Sequence, residues 1–329
     1  MLKKTIVTDL HECGKLWNAF ISHRNISDLW EFRICFHRHF HNNPYFLMLE
    51  DRKGIAGILP LSYVEELDMF VFFPGEIWKE KTWIERTPVY IRESAFFQEL
   101  LLSCPERTYL RYIEIDEFMQ TQDLEVDEVG YVLYPPNLHF NFDFYRNRFS
   151  NKRYKEIKKV IQSFASPNNK FSFNNLEDYD HLVDMSIQHY GSDSYLHDYR
   201  FRDGIRDLIH FLHGKGWLRM VSVEIDGKKA AVDIGTLYRG TYTVFLGGTH
   251  HDFLGVAKVM NMNHIEFAFR KGLLKADFLC GDFHWKKLWH LDPEPLYKFA
   301  TPLLESTEEI VKEQLDIPFP FFSQTQHYT

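Results

Sequence analysis

Cysteine is scarce in this chain. Cys13, Cys35, Cys104 and Cys280 are the only four in 329 residues, and no two of them lie at a short spacing. Neither a zinc knuckle nor a disulfide framework is indicated by that arrangement, and free thiols fit a reducing cytosol. Long apolar runs are missing as well. None approaches the ~18 residues of a membrane span, and the opening MLKKTIVTDLHECGK lacks the apolar core of a signal peptide. The expectation is a cytoplasmic protein with no membrane span. Positive charge is in deficit: the formal net charge of −8 argues against a general nucleic-acid binder held by counterion release.

What is present reads as a soluble globular protein, with 45% apolar and 26% charged residues. Thirty Phe and 17 Tyr raise the aromatic share to 16%, for which core packing is a plainer account than aromatic-lined clefts. The length favours two domains. One stretch departs from the acidic balance: Arg146–Lys159 (RNRFSNKRYKEIKK) holds seven basic residues against the single acid Glu156. That is a local +6 on a chain that is otherwise −8 − 6 = −14.

Turn signals divide the second half in an orderly way. Leu218–Ile225 is rich in β-formers and ends at Asp226-Gly227, a hairpin signal. Lys229–Tyr238 follows, then Arg239-Gly240, then Thr241–Leu246 into Gly247-Gly248. This predicts a three-stranded antiparallel meander. Val259, Met262, Ile265 and Phe269 then recur at helical spacing, and Gly272 stands where a C′ residue ends a helix. Leu274–Cys280 reads as a further strand. The first half repeats the order with Tyr45–Leu49, Ile55–Tyr63 and Met69–Phe73, a helix around Ser94–Ser103 and a strand around Tyr109–Ile115. Gly54 to Gly75 and Gly227 to Gly248 are both intervals of 21 residues. The chain therefore reads as one α+β unit written twice, with coincident meanders as the alternative. Pro135-Pro136 marks a boundary, and the basic helix Lys152–Phe164 follows it. The expected domains are 1–145, 146–305, and a Pro- and Phe-rich tail, 306–329, packing back on the first.

Specific strings resemble the GNAT superfamily of N-acyltransferases. WLRMVSVEIDG (217–227) with KKAAVDIGTLY after it is similar to the entry of one GNAT subgroup, in which polysaccharide-biosynthesis acetyltransferases sit beside Fem-type peptidoglycan bridge transferases. Gly255–Lys271 resembles that subgroup's cofactor helix. ADFLCGDFHWKKLW (276–289) resembles its closing motif of Asp-Phe, Gly-Asp, an aromatic-Lys pair and Trp. The match spans about 150–289 well and 17–61 more loosely. It implies two tandem GNAT-like domains, each a mostly antiparallel sheet flanked by helices.

The resemblance also assigns candidate residues. Gly255, Val256, Ala257 and Lys258 open the cofactor helix, where first-turn N–H groups and the helix dipole suit a pyrophosphate such as that of acetyl-CoA or another acyl-CoA. The reading keeps Gly255 for close approach and Ala257 for a slim first turn. Asp252 stands where GNAT loops carry Gln or Arg, and a carboxylate there opposes a pyrophosphate unless it turns away or His250, His251 and Lys258 offset it. Acyl transfer to an amine needs a base and oxyanion donors. Asp233, on a strand between Val232 and Ile234, is the first candidate base, a plain strand-face acid being the alternative. Asp282 is the second, paired with Lys286 or facing the acceptor. His284 and Cys280 are weaker choices, and Tyr242 is a candidate to protonate the leaving thiolate. Arg153, Tyr190, His284 and Lys286 are candidate acceptor-binding residues, a solvated helix face being the plainer account of Arg153. His37 and His41 have the i,i+4 spacing of a metal pair but no third ligand, so no metal is expected.

Three functions compete on this basis. The leading one is acyl-CoA-dependent N-acyl transfer, by direct attack, to an amine such as an amino sugar or glycan precursor. A Fem-like transfer from aminoacyl-tRNA is the alternative, favoured by the basic helix. A non-catalytic ligand-binding protein that keeps the fold is the third.

Overall fold

A computed structural model describes residues 2–79, 81–114, 124–166, 168–281 and 284–301. The expected tail, 306–329, and the candidate base Asp282 lie outside the described residues. The chain divides into two compact units. The described residues of 2–129, 203–208 and 295–301 form the first, and those of 130–202 and 209–294 form the second.

In the first unit β1 (Lys3–Val7) leads through α1 (Leu10–Phe20) and α2 (Trp30–Phe40) to β2 (Asn43–Asp51), β3 (Gly54–Val64) and β4 (Met69–Phe72). A short hairpin of β5 (Ile77–Trp78) and β6 (Lys81–Thr82) follows, then β7 (Tyr90–Ile91), α3 (Ala95–Leu102) and β8 (Tyr109–Ile113). The sheet runs β1-β2-β3-β4, all antiparallel, with β7 also on β3. Trp17 anchors its core. The indole is fully buried, its Nε1 donates to Asp28 O at 2.7 Å, and Phe46, Phe72 and Phe73 surround it at ring spacings of 6.2, 6.1 and 6.0 Å. A buried indole that finds an acceptor keeps its hydrophobic gain without an orphaned donor.

After β9 (Glu125–Leu133) the second unit contains α4 (Phe142–Arg146), α5 (Asn151–Ser163), β10 (Lys170–Phe173), α6 (Asp178–Tyr190) and α7 (Tyr199–Gly214), of which residues 203–208 count with the first unit. The predicted meander follows as β11 (Leu218–Ile225), β12 (Lys228–Tyr238) and β13 (Thr241–Thr249), then α8 (Val256–Arg270), β14 (Lys275–Cys280) and α9 (His284–Leu288). The last strand, β15 (Asp292–Ala300), passes to the first unit at 295. The sheet order β10-β11-β12-β13-β14-β9 is antiparallel except between β13 and β14. The basic helix is α5, capped by Ser150, whose Oγ accepts the Arg153 N–H at 3.2 Å. All four apolar positions read as the stripe of α8 are buried, and Gly272 follows that helix with φ of 60°.

One predicted end is displaced. Gly247-Gly248 does not turn the chain; β13 runs through it, with Gly247 opposite Asp233 and Gly248 opposite Val232. Backbone pairing with β12 outweighs the glycines' poor strand propensity here.

Candidate active site

Two irregularities open the second unit's sheet. Between Ile234 and Gly235 the register of β12 on β13 slips, because Ile234 faces Leu246 while Gly235 faces Val244, leaving Phe245 as the extra residue. Such a bulge bends its strand. Gly235 is required there, since a Cβ would lie 2.6 Å from Thr243 O and 2.8 Å from the Tyr242 ring. Beyond the bulge β13 leaves β14. The two pair only at Thr241–Thr243 with Lys275–Asp277, while β13 continues to Thr249 and β14 to Cys280.

A cleft of about 610 Å³, open solvent at its mouth included, occupies this splay. Val244 and Thr249 of β13, Phe278 of β14 and Trp285 of α9 line it, with Ala257 and Lys258 at the first turn of α8. Asp233 and His264 are its acid and its imidazole.

Asp233 is 6% exposed, and its Oδ2 lies 2.7 Å from His264 Nε2. His264 Nδ1 lies 2.8 Å from the Tyr242 hydroxyl. An ionised carboxylate only accepts, so His264 donates from Nε2, and a neutral ring then accepts the Tyr242 O–H at Nδ1. Arg219 stands beside Tyr242: burial lowers its pKa, and Tyr242 acts the other way. Its guanidinium also lies 3.5 Å from the Phe267 ring centroid and donates to Asn263 Oδ1 at 2.8 Å. The result is an oriented chain, Tyr242 to His264 to Asp233, that ends at the cleft wall.

Tyr242 is therefore not placed as the sequence reading had it. The side chain is fully buried, its pKa is pushed up first by burial, and its hydroxyl is spent on His264 rather than turned to a leaving group. His264 and Arg219 were missed. Arg219 lies between Leu218 and Met220 on a β-rich run, and that interruption was its available signal; His264 follows Asn263 and has no such mark.

The cofactor-helix candidates separate. Gly255 is needed for a left-handed φ of 89° and for contact with α5, since a Cβ would meet Val160 Cγ1 at 3.0 Å. Its missing side chain makes room for α5. Val256 is a core residue, 1% exposed, whose N–H donates to Phe253 O at 3.2 Å. The Lys258 N–H is likewise engaged, by Gly255 O at 2.9 Å. What remains toward the cleft is Ala257 and the Lys258 side chain. Burial, then the nearby Arg153 guanidinium, depresses the Lys258 ammonium, with Glu156 acting the other way. Arg153, read as an acceptor contact, thus stands beside α8 and pairs with Glu156 at 3.7 Å. Replacing Gly255 by Ala should destabilise the chain by about 1–2 kcal/mol, the cost of a left-handed L-residue, read as a lower urea midpoint.

Lys286 is also reassigned. It is 1% exposed, and Nζ donates to Phe278 O and Leu279 O at 2.9 Å each and to Cys280 O at 2.5 Å. The three carbonyls converge because Leu279 has φ of 57°. Lys286 ties down the end of β14, and a buried ammonium so engaged cannot bind an acceptor. His284 is exposed at the start of α9, and Tyr190 is half-buried with its ring against His189 at 4.4 Å; neither is among the residues that line the cleft. Asp252 is half-exposed, with Oδ1 3.1 Å from His251 Nε2 and Oδ2 3.7 Å from His250 Nδ1. His37 packs on Phe73 at 5.3 Å, and burial lowers its pKa to about 4. No helix among the described residues is long and apolar enough to cross a membrane.

Similarity to solved structures extends over almost the whole chain. FemX aligns with a TM-score of 0.56 at 9% identity, covering 93% of this chain and 99% of its own. A conserved protein of unknown function from Bacteroides thetaiotaomicron VPI-5482 gives 0.54 at 12%, covering 90% and 98%. A tandem GNAT protein from the clavulanic acid biosynthesis pathway gives 0.53 at 9%, covering 91% and 98%. At these identities the likeness concerns the fold, which is mixed α and β with antiparallel-dominated sheets in two GNAT-like domains. No curated protein matches the chain. Residues 151–287, which contain α5, the meander, the cleft and α9, match the family model described as Acetyltransferase (GNAT) domain.

Proposed function

We propose that the second unit is an N-acyltransferase that moves an acyl group, acetyl in the simplest case, from acyl-CoA to an amine. The observation that carries this reading is the ordered pair Asp233–His264 on the wall of a cleft opened by the splay of β13 from β14. A thioester laid in the splay would place its acyl end toward Asp233 and its anionic end toward Lys258 and Arg153. The incoming amine attacks the thioester carbonyl, and its proton goes to the Asp233 carboxylate. His264, held from behind by Tyr242, keeps that carboxylate oriented and supplies a hydrogen bond to it. The C–N bond forms as the C–S bond breaks, and the thiolate leaves with CoA. No covalent intermediate on the protein is required. An amino sugar or other glycan-precursor amine is the acceptor class we favour.

Ligand binding to the folded state alone tests this reading. Acyl-CoA at about 100 times its Kd should stabilise the chain by about 2.7 kcal/mol, seen as a rise in melting temperature. An unchanged melting curve at near-saturating thioester would count against the donor. A second reading has one observation in its favour: α5 packs on α8, and Lys152, Lys155, Lys158 and Lys159 are exposed on it beside the cofactor helix. Such a surface suits a polyanionic donor, aminoacyl-tRNA. Retarded migration with charged tRNA, together with no thermal shift by acyl-CoA, would favour it.

A further inference from the structure

The loop that joins β13 to α8 carries a second cluster of side chains that the acyl-transfer reading leaves idle. His250, His251 and Asp252 each offer one ligand atom, and these atoms lie within 4.8 Å of one another. The two imidazoles are stacked, with centroids 4.5 Å apart and planes 19° apart. The Asp252 backbone N–H donates to His250 Nδ1 at 3.2 Å, which holds that ring against the loop. His251 Nε2 approaches the same carboxylate at 3.1 Å. His189, at the end of α6, lines one recess with His250, His251 and Thr249, and Thr249 also lines the cleft.

We infer that His250, His251 and Asp252 bind one divalent transition-metal ion, with His189 available from the facing helix. Two imidazoles and one carboxylate are a borderline ligand set. They suit Zn²⁺ or Ni²⁺, whereas Mg²⁺ and Ca²⁺ prefer oxygen. Ligands about 2 Å from a zinc ion lie roughly 3.3 Å apart, so the side chains must close inward. His251 and Asp252 are exposed and have room to do so. Three consecutive residues supply the ligands, so closure asks little of the rest of the fold. A cation here reverses the sign of the charge that Asp252 places before α8.

The test contains no acyl donor, so its outcome is separate from that of the transferase reading. The full chain, stripped with chelator, is titrated with Zn²⁺ and with Mg²⁺ in a calorimeter. Saturable binding of one Zn²⁺ is expected, with no comparable heat from Mg²⁺. His251→Ala and Asp252→Asn should each weaken Zn²⁺ by more than about tenfold, beyond what loss of an outer-sphere partner costs at the low end. The exposed pair His210 and His213 on α7 serves as the control, and His210→Ala/His213→Ala should leave the affinity unchanged. The inference is overturned by absence of saturable Zn²⁺ binding or by full affinity in both loop variants. Loss confined to the control variant, or equal binding of Mg²⁺, overturns it as well.

Discussion

Asp233→Asn should lower turnover by about 10²–10⁴-fold, the usual worth of a positioned general base, while acyl-CoA affinity and thermal stability stay near those of the parent chain. The amide is isosteric and its carbonyl oxygen can still accept from His264 Nε2 at the 2.7 Å now seen. It cannot take a proton from an ammonium-bound transition state. His264→Gln is the companion variant. It should cost less activity, because it removes the group that holds the carboxylate and leaves the base itself in place. Steady-state rates with single-turnover acylation separate the two, and thioester titration by calorimetry gives the affinity. If Asp233→Asn keeps full activity, the carboxylate is a strand-face acid and the base lies elsewhere.

Lys286→Met should cost about 3 kcal/mol of stability, as a reduced denaturant midpoint with an unchanged slope. The side chains have similar length, so packing is nearly conserved, and the difference isolates the ammonium. That ammonium donates to three carbonyls at the left-handed end of β14. Hydrogen bonds to a charged group are worth about 1.5–3 kcal/mol each, offset in part by the desolvation of a buried cation. Phe278 and Trp285 line the cleft from either side of this anchor, so the same variant should weaken acyl-CoA binding as well. A stable Lys286→Met chain would show that the neighbouring strands hold β14 without it. Solvent-exposed His284, replaced by Ala, is the neutral comparison on the same helix.

The elements were legible where periodicity and turn chemistry agree. Asp226-Gly227 and Arg239-Gly240 delimit β12 almost to the residue, and the stripe from Val259 to Phe269 locates α8. Local signals sufficed because each of these features closes within a few residues. The splay of β13 from β14 was not legible. It follows from a bulge at Phe245 and from the end of a parallel pairing between strands more than thirty residues apart, and neither leaves a local mark. The Gly247-Gly248 pair misled for a related reason: glycines punctuate turns, yet here their partners are Val232 and Asp233 of an adjacent strand.

Resemblance and strand position brought Asp233, Lys258 and Lys286 to notice, and they could not tell a cation on the cleft wall from a buried tie. Lys258 opens α8, and Lys286 lies on α9. One lines the cleft, and the other is consumed by three backbone carbonyls, because Leu279 turns left-handed only in the folded strand end. His264 shows the converse. On α8 it gains partners at both nitrogens only when β12 and β13 deliver Asp233 and Tyr242 to them. The sequence by itself determined the order of strands and helices, the acidic balance and the position of the basic helix, all of which depend on neighbours in the chain. Tertiary structure decided which polar groups face the cleft and which face one another, since burial and pairing depend on what other strands bring.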